Sequence, residues 1–233
     1  MTTKIGWTFI SDVGSSIFFE PVSEASCRAG RNRAGGGVAN CPAVQIYESR
    51  VFHIRCPFTI SIRAHKDSKG WSFRPVFPDT EVEEGLLSSF LEIQPLKLWR
   101  RTDTPIVQLS LPYVFVADEE VFVNQIESPF YEGAKNWSLV QGRFNIREWQ
   151  RPLNWAAEWT QWQTDLVLKR GQPLFSVLFE TLSPDRGIAL NQVNRTLAME
   201  KAISSAVGVA KMVKGTLTVI KAAGKRRPEK LLE

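Results

Sequence analysis

The feature that most constrains the fold is a succession of about ten short segments rich in β-branched and aromatic residues. In the segment 58–63, for example, Phe58, Ile60 and Ile62 alternate with polar residues, so they share one face of a strand. No helical segments alternate with these strands, which favours antiparallel pairing over βαβ units. We therefore predict an all-β fold, an antiparallel β-sandwich or jelly roll, over residues 1–183. The predicted strands are 17–19, 51–54, 58–63, 71–77, 106–111, 112–116, 121–123, 142–146, 154–159, 165–168 and 174–179.

The C-terminal part of the chain has a different periodicity. Apolar residues from Leu190 to Leu217 recur at steps of three and four, with Ser, Thr and Lys between them, which is typical of an amphipathic helix. We predict that residues 184–233 form this helix, either continuous or broken near Gly208 or Gly215, and a frayed basic tail. We expect its apolar stripe to pack on the chain's own β domain or on another copy. Before this region, only residues 83–93 have helical character.

The positive charge of the chain is concentrated in its C-terminal part. Residues 195–233 contain nine Lys or Arg and three Glu, a net charge of +6, whereas the remaining residues carry −1. A nearly neutral body argues against nucleic-acid recognition by a folded basic face. The tail could instead contact an anionic surface, with Lys211, Lys214 and Lys221 facing it or facing solvent.

The apolar segments are too short for membrane insertion. None approaches the roughly 18 uncharged apolar residues of a membrane span, and the first residues lack the apolar run of a signal peptide. We therefore expect a soluble protein of the cytoplasm, without a transmembrane segment.

The three cysteines leave two interpretations open. Cys27, Cys41 and Cys56 are odd in number, which is typical of free thiols in a reducing compartment. Together with His53 they also form the pattern C-x13-C-x11-H-x2-C, whose residue types zinc accepts. Only the pair His53 and Cys56 has the short spacing of a structural zinc site, so free thiols are the favoured interpretation.

Only two histidines, His53 and His65, are available for metal or nucleophile chemistry. His65-x-Asp67, at the end of a predicted strand, matches two ligands of the facial triad of iron oxygenases, and His53 on a neighbouring strand would supply the third. Such an enzyme would use Fe(II) and 2-oxoglutarate, with Arg170 or another strand arginine as the carboxylate anchor. The alternative is that His65 and Asp67 are solvated in a polar turn.

Two sets of short motifs lie between residues 40 and 182. The first is Asn40-Cys41-Pro42-Ala43, Phe52-His53-Ile54 and Cys56-Pro57-Phe58. The second is Glu127-Ser128-Pro129-Phe130-Tyr131, Gly142-Arg143-Phe144-Asn145-Ile146, Arg151-Pro152-Leu153-Asn154-Trp155-Ala156 and Lys169-Arg170-Gly171-Gln172-Pro173-Leu174-Phe175. Both resemble signatures of a family of uncharacterised all-β proteins of marine bacteria and tailed phages. The resemblance implies one all-β domain and a phage or marine bacterial setting, and it implies no activity.

Tryptophan is dense in one region, because five of the eight tryptophans lie within residues 137–162. Trp155, Ala157 and Trp159 share one strand face. Exposed rings could stack on sugars or bases or anchor a protein interface, whereas buried rings would form the core. The core is the favoured interpretation, because large aromatic side chains are mostly buried.

Two classes of function follow from these patterns. The first is a non-enzymatic structural or interaction protein, of phage origin as the resemblance implies, which assembles with copies of itself or with another protein through its β domain and C-terminal helix. The alternative is a mononuclear Fe(II)/2-oxoglutarate oxygenase on a jelly roll, with His53, His65 and Asp67 as ligands. The first needs no cofactor, and it is the class that we favour.

Overall fold

The computed structural model describes residues 2–12, 15–29, 40–68, 70–128, 131, 135–183, 186–206 and 215–232. The strands are β1 Thr2–Phe9, β2 Val22–Ser23, β3 Val51–Arg55, β4 Ile60–Asp67, β5 Gly70–Pro75, β6 Leu91–Ile93, β7 Ile106–Val116, β8 Val121–Ile126, β9 Ser138–Leu139, β10 Gly142–Asn145, β11 Pro152–Glu158, β12 Leu166–Leu168, β13 Pro173–Thr181 and β14 Gly187–Gln192. The α-helices are α1 Glu24–Ala29, α2 Pro42–Glu48, α3 Glu84–Phe90, α4 Leu197–Ala206 and α5 Thr216–Gly224, and short 3-10 helices span Ser15–Ile17 and Leu96–Leu98.

The described strands form three sheets, and the prediction of a mostly β fold is confirmed. The first sheet has the order β14-β1-β7-β11-β9, with β6 also pairing with β7. The second has the order β10-β8-β13-β3-β2, and the third β12-β4-β5. All pairs are antiparallel except β1 with β14, which are parallel. The predicted strand at residues 17–19 is wrong, because a 3-10 helix ends at Ile17.

Pro112 lies inside β7 rather than between two strands. Proline has no N–H to donate to a neighbouring strand, so it needs an irregular partner at that point. The register with β11 supplies one, because it shifts between Pro152, opposite Val114, and Asn154, opposite Ser110. One eleven-residue strand therefore replaces the two predicted ones.

Side chains from all three sheets meet in one core. The rings of Phe115 on β7 and Phe179 on β13 lie 5.2 Å apart in a T-shaped contact. Trp155, Ala157 and Trp159 are fully buried, so the core interpretation of these tryptophans is confirmed.

The C-terminal region begins with a strand, which its helical periodicity did not predict. Leu190 lies on β14, which follows residue 183 and completes the first sheet beside β1. Two short helices, α4 and α5, come after it, and residues 207–214, including Lys211 and Lys214, lie outside the described residues. The strand forms because its main chain pairs with the edge of β1, a long-range contact that overrides the local spacing. No helix among the described residues has the length and hydropathy needed to span a membrane.

The helix α4 covers the outer face of β7. Val114 and Val116 point away from the main core, and Tyr113 and Phe115 point into it, so both faces of this stretch are buried. This explains its uninterrupted apolar sequence. The residues packed against Val114 and Val116 are Met199, Ala202, Ile203 and Leu231.

The residues after α5 are docked rather than frayed. The carboxylate of Asp118 accepts the backbone N–H groups of Leu231 and Leu232 at 2.7 and 3.2 Å, and it forms an ion pair with Arg227 at 3.1 Å. We call Asp118 and Arg227 the tail clamp. Beyond it, Leu232 reaches β1, where a side chain at Gly6 would collide with it.

Candidate functional site

The hairpin of β4 and β5 carries a partly exposed tryptophan, Trp71. In the strand register Trp71 lies opposite Lys66, whose Nζ is 5.2 Å from the centre of the ring. Side chains alternate along a strand, so Trp71 shares its face with Phe73, which packs against the core. Trp71 therefore continues the apolar face of the hairpin beyond the core, toward solvent.

Two further half-buried tryptophans reach Trp71 from other parts of the chain. Trp99 follows the 3-10 helix Leu96–Leu98, and Trp162 lies in the turn between β11 and β12. Their ring centres lie 5.5 Å and 4.8 Å from that of Trp71, both in edge-to-face contacts. The indole N–H of Trp99 donates to the carbonyl of Gln94 at 2.6 Å, which fixes the orientation of this ring. We call Trp71, Trp99 and Trp162 the tryptophan surface.

The residues next to Trp99 along the chain have exposed apolar and basic side chains. Leu96 and Leu98, just before Trp99, are 54% and 56% exposed. Lys97, Arg100 and Arg101 in the same segment are exposed as well, and with Lys66 they form a basic rim. Within the described part of the chain, none of these four cations forms an ion pair. Trp71 and Trp99 therefore lie in segments that also carry exposed cations and, beside Trp99, exposed leucines.

His53 lies on β3 and is 2% exposed. Its side chain is on the face of the second sheet opposite to the core residues Phe52 and Ile54. Its Nδ1 lies 2.8 Å from Oγ of Ser176, on the neighbouring strand β13, and 3.4 Å from Oγ of Ser128. Burial lowers the pKa of His53 from 6.5 to about 4, so the imidazole is neutral at physiological pH.

The other two candidate ligands are elsewhere. His65 and Asp67 share one exposed face of β4, in the third sheet, as their spacing predicts. Among the described residues, no three His, Cys, Asp or Glu side chains lie close enough to hold a metal ion together. The structure therefore places His65 and Asp67 on one face of β4 and His53 in a different sheet, and this arrangement does not fit the facial triad.

This arrangement leads to a prediction for iron. On anaerobic addition of Fe(II), with or without 2-oxoglutarate, we expect no one-to-one binding and no visible charge-transfer band. The double variant His65→Ala/Asp67→Ala should behave like the unmodified protein. Tight one-to-one iron binding that disappears in the double variant would contradict this expectation.

The cysteines of the predicted zinc pattern have different surroundings. Cys41 is exposed and Cys56 is buried, and both are free thiols. Burial raises the pKa of Cys56 to about 12, and its Sγ–H donates to the carbonyl of Phe58 at 3.0 Å. Burial therefore favours the neutral thiol of Cys56, whereas zinc binds the thiolate. The side chain of Cys27 and residues 30–39 lie outside the described part of the structure.

Trp71 and Trp99 lie outside the dense group of tryptophans at residues 137–162, and of that group only Trp162 belongs to the tryptophan surface. The available signal was the Leu-Lys-Leu-Trp-Arg-Arg run that ends at Arg101, in which large apolar residues alternate with cations.

No family model matches the chain, and no curated protein matches it with statistical significance. The resemblance to the phage and marine bacterial family therefore stays a prediction.

Proposed function

We propose that this protein is a non-enzymatic interaction protein that binds another protein through the tryptophan surface. The observation that carries the proposal is the contact of three half-buried tryptophans, brought together from three separate segments at the surface. Tryptophan is the residue type most enriched among those that dominate binding energy at protein interfaces. A rigid group of rings also loses little conformational entropy when it binds, because its side chains are already packed.

The rim indicates the chemistry of the partner. Lys66, Lys97, Arg100 and Arg101 would face carboxylates around an apolar groove that receives the rings. In a symmetric contact between two copies, the positively charged surface of one copy would face the same surface of the other. The repulsion between these like charges is unfavourable. A different protein with an acidic edge therefore fits this surface better than a second copy does.

The setting of this interaction rests on the resemblance. We propose that the protein acts in an assembly of phage type, in the host cytoplasm or in the virion, and that its three sheets pack as a sandwich or jelly roll. Fold alone does not determine function, so the tryptophan surface is the part to test.

The test compares variants in a quantitative capture experiment with lysate of the cells that produce the protein. The double variant Trp71→Ala/Trp99→Ala should lose at least one stoichiometric partner, and with that partner purified its Kd should rise by about 100-fold or more, the effect of losing two dominant contacts. The partner should carry an acidic surface, so that its binding weakens with salt.

Trp149 provides a matched control. It is also half-buried, and it packs against Phe144 and Arg151 away from the tryptophan surface. The variant Trp149→Ala should retain the partner. The proposal is overturned if no captured protein depends on Trp71 and Trp99, or if Trp149→Ala loses the same protein to the same extent.

A further inference from the structure

The strand β14 lies at one end of the first sheet and has β1 as its neighbour on one side. Val193, the residue after β14, donates its N–H to the carbonyl of Trp7 at 3.0 Å, so this group is directed toward β1. Main-chain groups alternate in direction along a strand, so those of Ile188, Leu190 and Gln192 are directed to the other side. Among the described residues, no group forms a hydrogen bond with the main chain at these three positions. Within the described structure, β14 therefore has an open edge.

The other edge strands of the described sheets are short or carry features that hinder pairing. The strands β2, β6, β9 and β12 contain only two or three residues each. The strand β10 carries Arg143, and β5 carries Arg74 and ends at Pro75. Short length, charge and proline are common means by which proteins prevent association at exposed strand edges.

The strand β14 has none of these features. It spans six residues, Gly187–Gln192, without a charged residue or a proline, and its register with β1 continues without a bulge. The arginines on either side are neutralised within the chain, because Arg186 pairs with Glu119 at 2.6 Å and Arg195 with Asp12 at 2.7 Å. A regular and uncharged edge of this kind is a template for another strand.

We propose that β14 pairs with β14 of a second copy, antiparallel about a two-fold axis, so that the two first sheets become one continuous sheet. An axis at Leu190 places this residue opposite Leu190 of the second copy, and it places Ile188 opposite Gln192. Residues that face each other in this way exchange both of their main-chain hydrogen bonds. Every outward N–H and carbonyl of the strand then has a partner. Because each copy uses the same surface, the contact closes as a dimer.

The side chains are compatible with this register. Ile188 and Leu190 pack against the core but are only partly buried, so the two Leu190 side chains would cover each other across the axis. On the opposite face of the sheet, Ala189 comes opposite Asn191 of the second copy. None of these facing pairs brings two like charges together. A second copy therefore supplies an edge of the right length, direction and charge.

Sedimentation equilibrium of the full chain over a range of concentrations tests the dimer. We expect the mass to rise from that of the monomer toward that of the dimer, with a Kd in the micromolar range because the interface is small. The variant Ala189→Lys/Asn191→Lys should raise this Kd by about tenfold or more, because it places lysines directly opposite lysines. The variant Ala189→Glu/Asn191→Glu should have the same effect. An equimolar mixture of the two variants should dimerise again, since each lysine then faces a glutamate.

A further variant and a matched control complete the test. Gln192→Pro removes an outward N–H but leaves the pairing with β1 intact, so it should also weaken the dimer. It keeps the test valid if circular dichroism shows that the charged variants fail to fold. Ser72→Lys is the control, because Ser72 is exposed on β5, an edge strand of a different sheet. This change should leave the Kd of the dimer unchanged.

The inference is overturned if the unmodified protein stays monomeric at about 1 mM. It is also overturned if the dimer tolerates the β14 variants, or if these variants lose a different protein from lysate while the unmodified protein is a monomer. The inference does not depend on the tryptophan surface, whose residues lie on other elements. Trp71→Ala/Trp99→Ala should therefore retain the dimer, so that a failure of the proposed function and a failure of this inference can be told apart.

Discussion

Replacing Arg227 by alanine is expected to lower the free energy of unfolding by about 3 kcal/mol. The Arg227 side chain is only 5% exposed, and it donates to the carbonyls of Ala117 and Arg147 at 3.0 and 2.7 Å as well as to Asp118. Its removal takes a donor from two carbonyls and the cation from the Asp118 carboxylate, which costs more than the loss of a surface ion pair. Urea denaturation followed by circular dichroism would measure the change.

Arg226, which is exposed, is the control for this prediction. Arg226→Ala should change stability by no more than about 0.5 kcal/mol. Asp118→Ala should destabilise the protein about as much as Arg227→Ala, and the double variant should cost less than the two single changes together, since the residues form one network. Equal urea midpoints for Arg226→Ala and Arg227→Ala would show that the tail clamp does not stabilise the fold.

Lowering the pH from 7 to 4.5 is expected to destabilise the protein by about 2 kcal/mol through His53 alone. The pKa of this histidine falls from 6.5 in the unfolded chain to about 4 in the folded protein, because of burial. Between these two values the unfolded state binds more protons, so stability rises with pH in this window. The contribution is therefore complete above about pH 6.5 and is lost progressively as the pH falls toward 4.

The second histidine of the chain provides the control. His65 is exposed on β4, so His65→Ala should retain the pH dependence of the unmodified protein. His53→Gln should show a shallower decrease of stability between pH 6.5 and 4, whatever its stability at pH 7. If the two variants and the unmodified protein have parallel curves, His53 is not the group responsible.

Most strands could be predicted because their apolar residues have a local pattern. The segment Phe58 to Ile62 alternates strictly, and the buried stretch 113–116 is continuously apolar, so both are visible in sequence. In contrast, β14 is defined by its parallel pairing with β1, which depends on main-chain hydrogen bonds to a distant segment. Main-chain pairing can form with many different side chains, so it leaves little trace in the sequence. The helical spacing of apolar residues around Leu190 arose by chance.

The candidate site was less predictable than the fold. Trp71 and Trp99 become neighbours only because β5 and the segment after β6 come together in the folded chain, and nothing in their local sequence records this contact. The spacing of His65 and Asp67 is that of two residues on one face of a strand, and both lie on β4. It could not reveal that His53, on the preceding strand, belongs to a different sheet.

The position of β1 between β7 and β14 has a consequence for synthesis on the ribosome. On the ribosome β1 emerges well before its parallel partner β14, because the pairing joins Thr2 to Gly187. Leu232, which covers Gly6, emerges later still. During translation β1 therefore has an unpaired edge until β14 has been made, and unpaired strand edges associate readily with other chains.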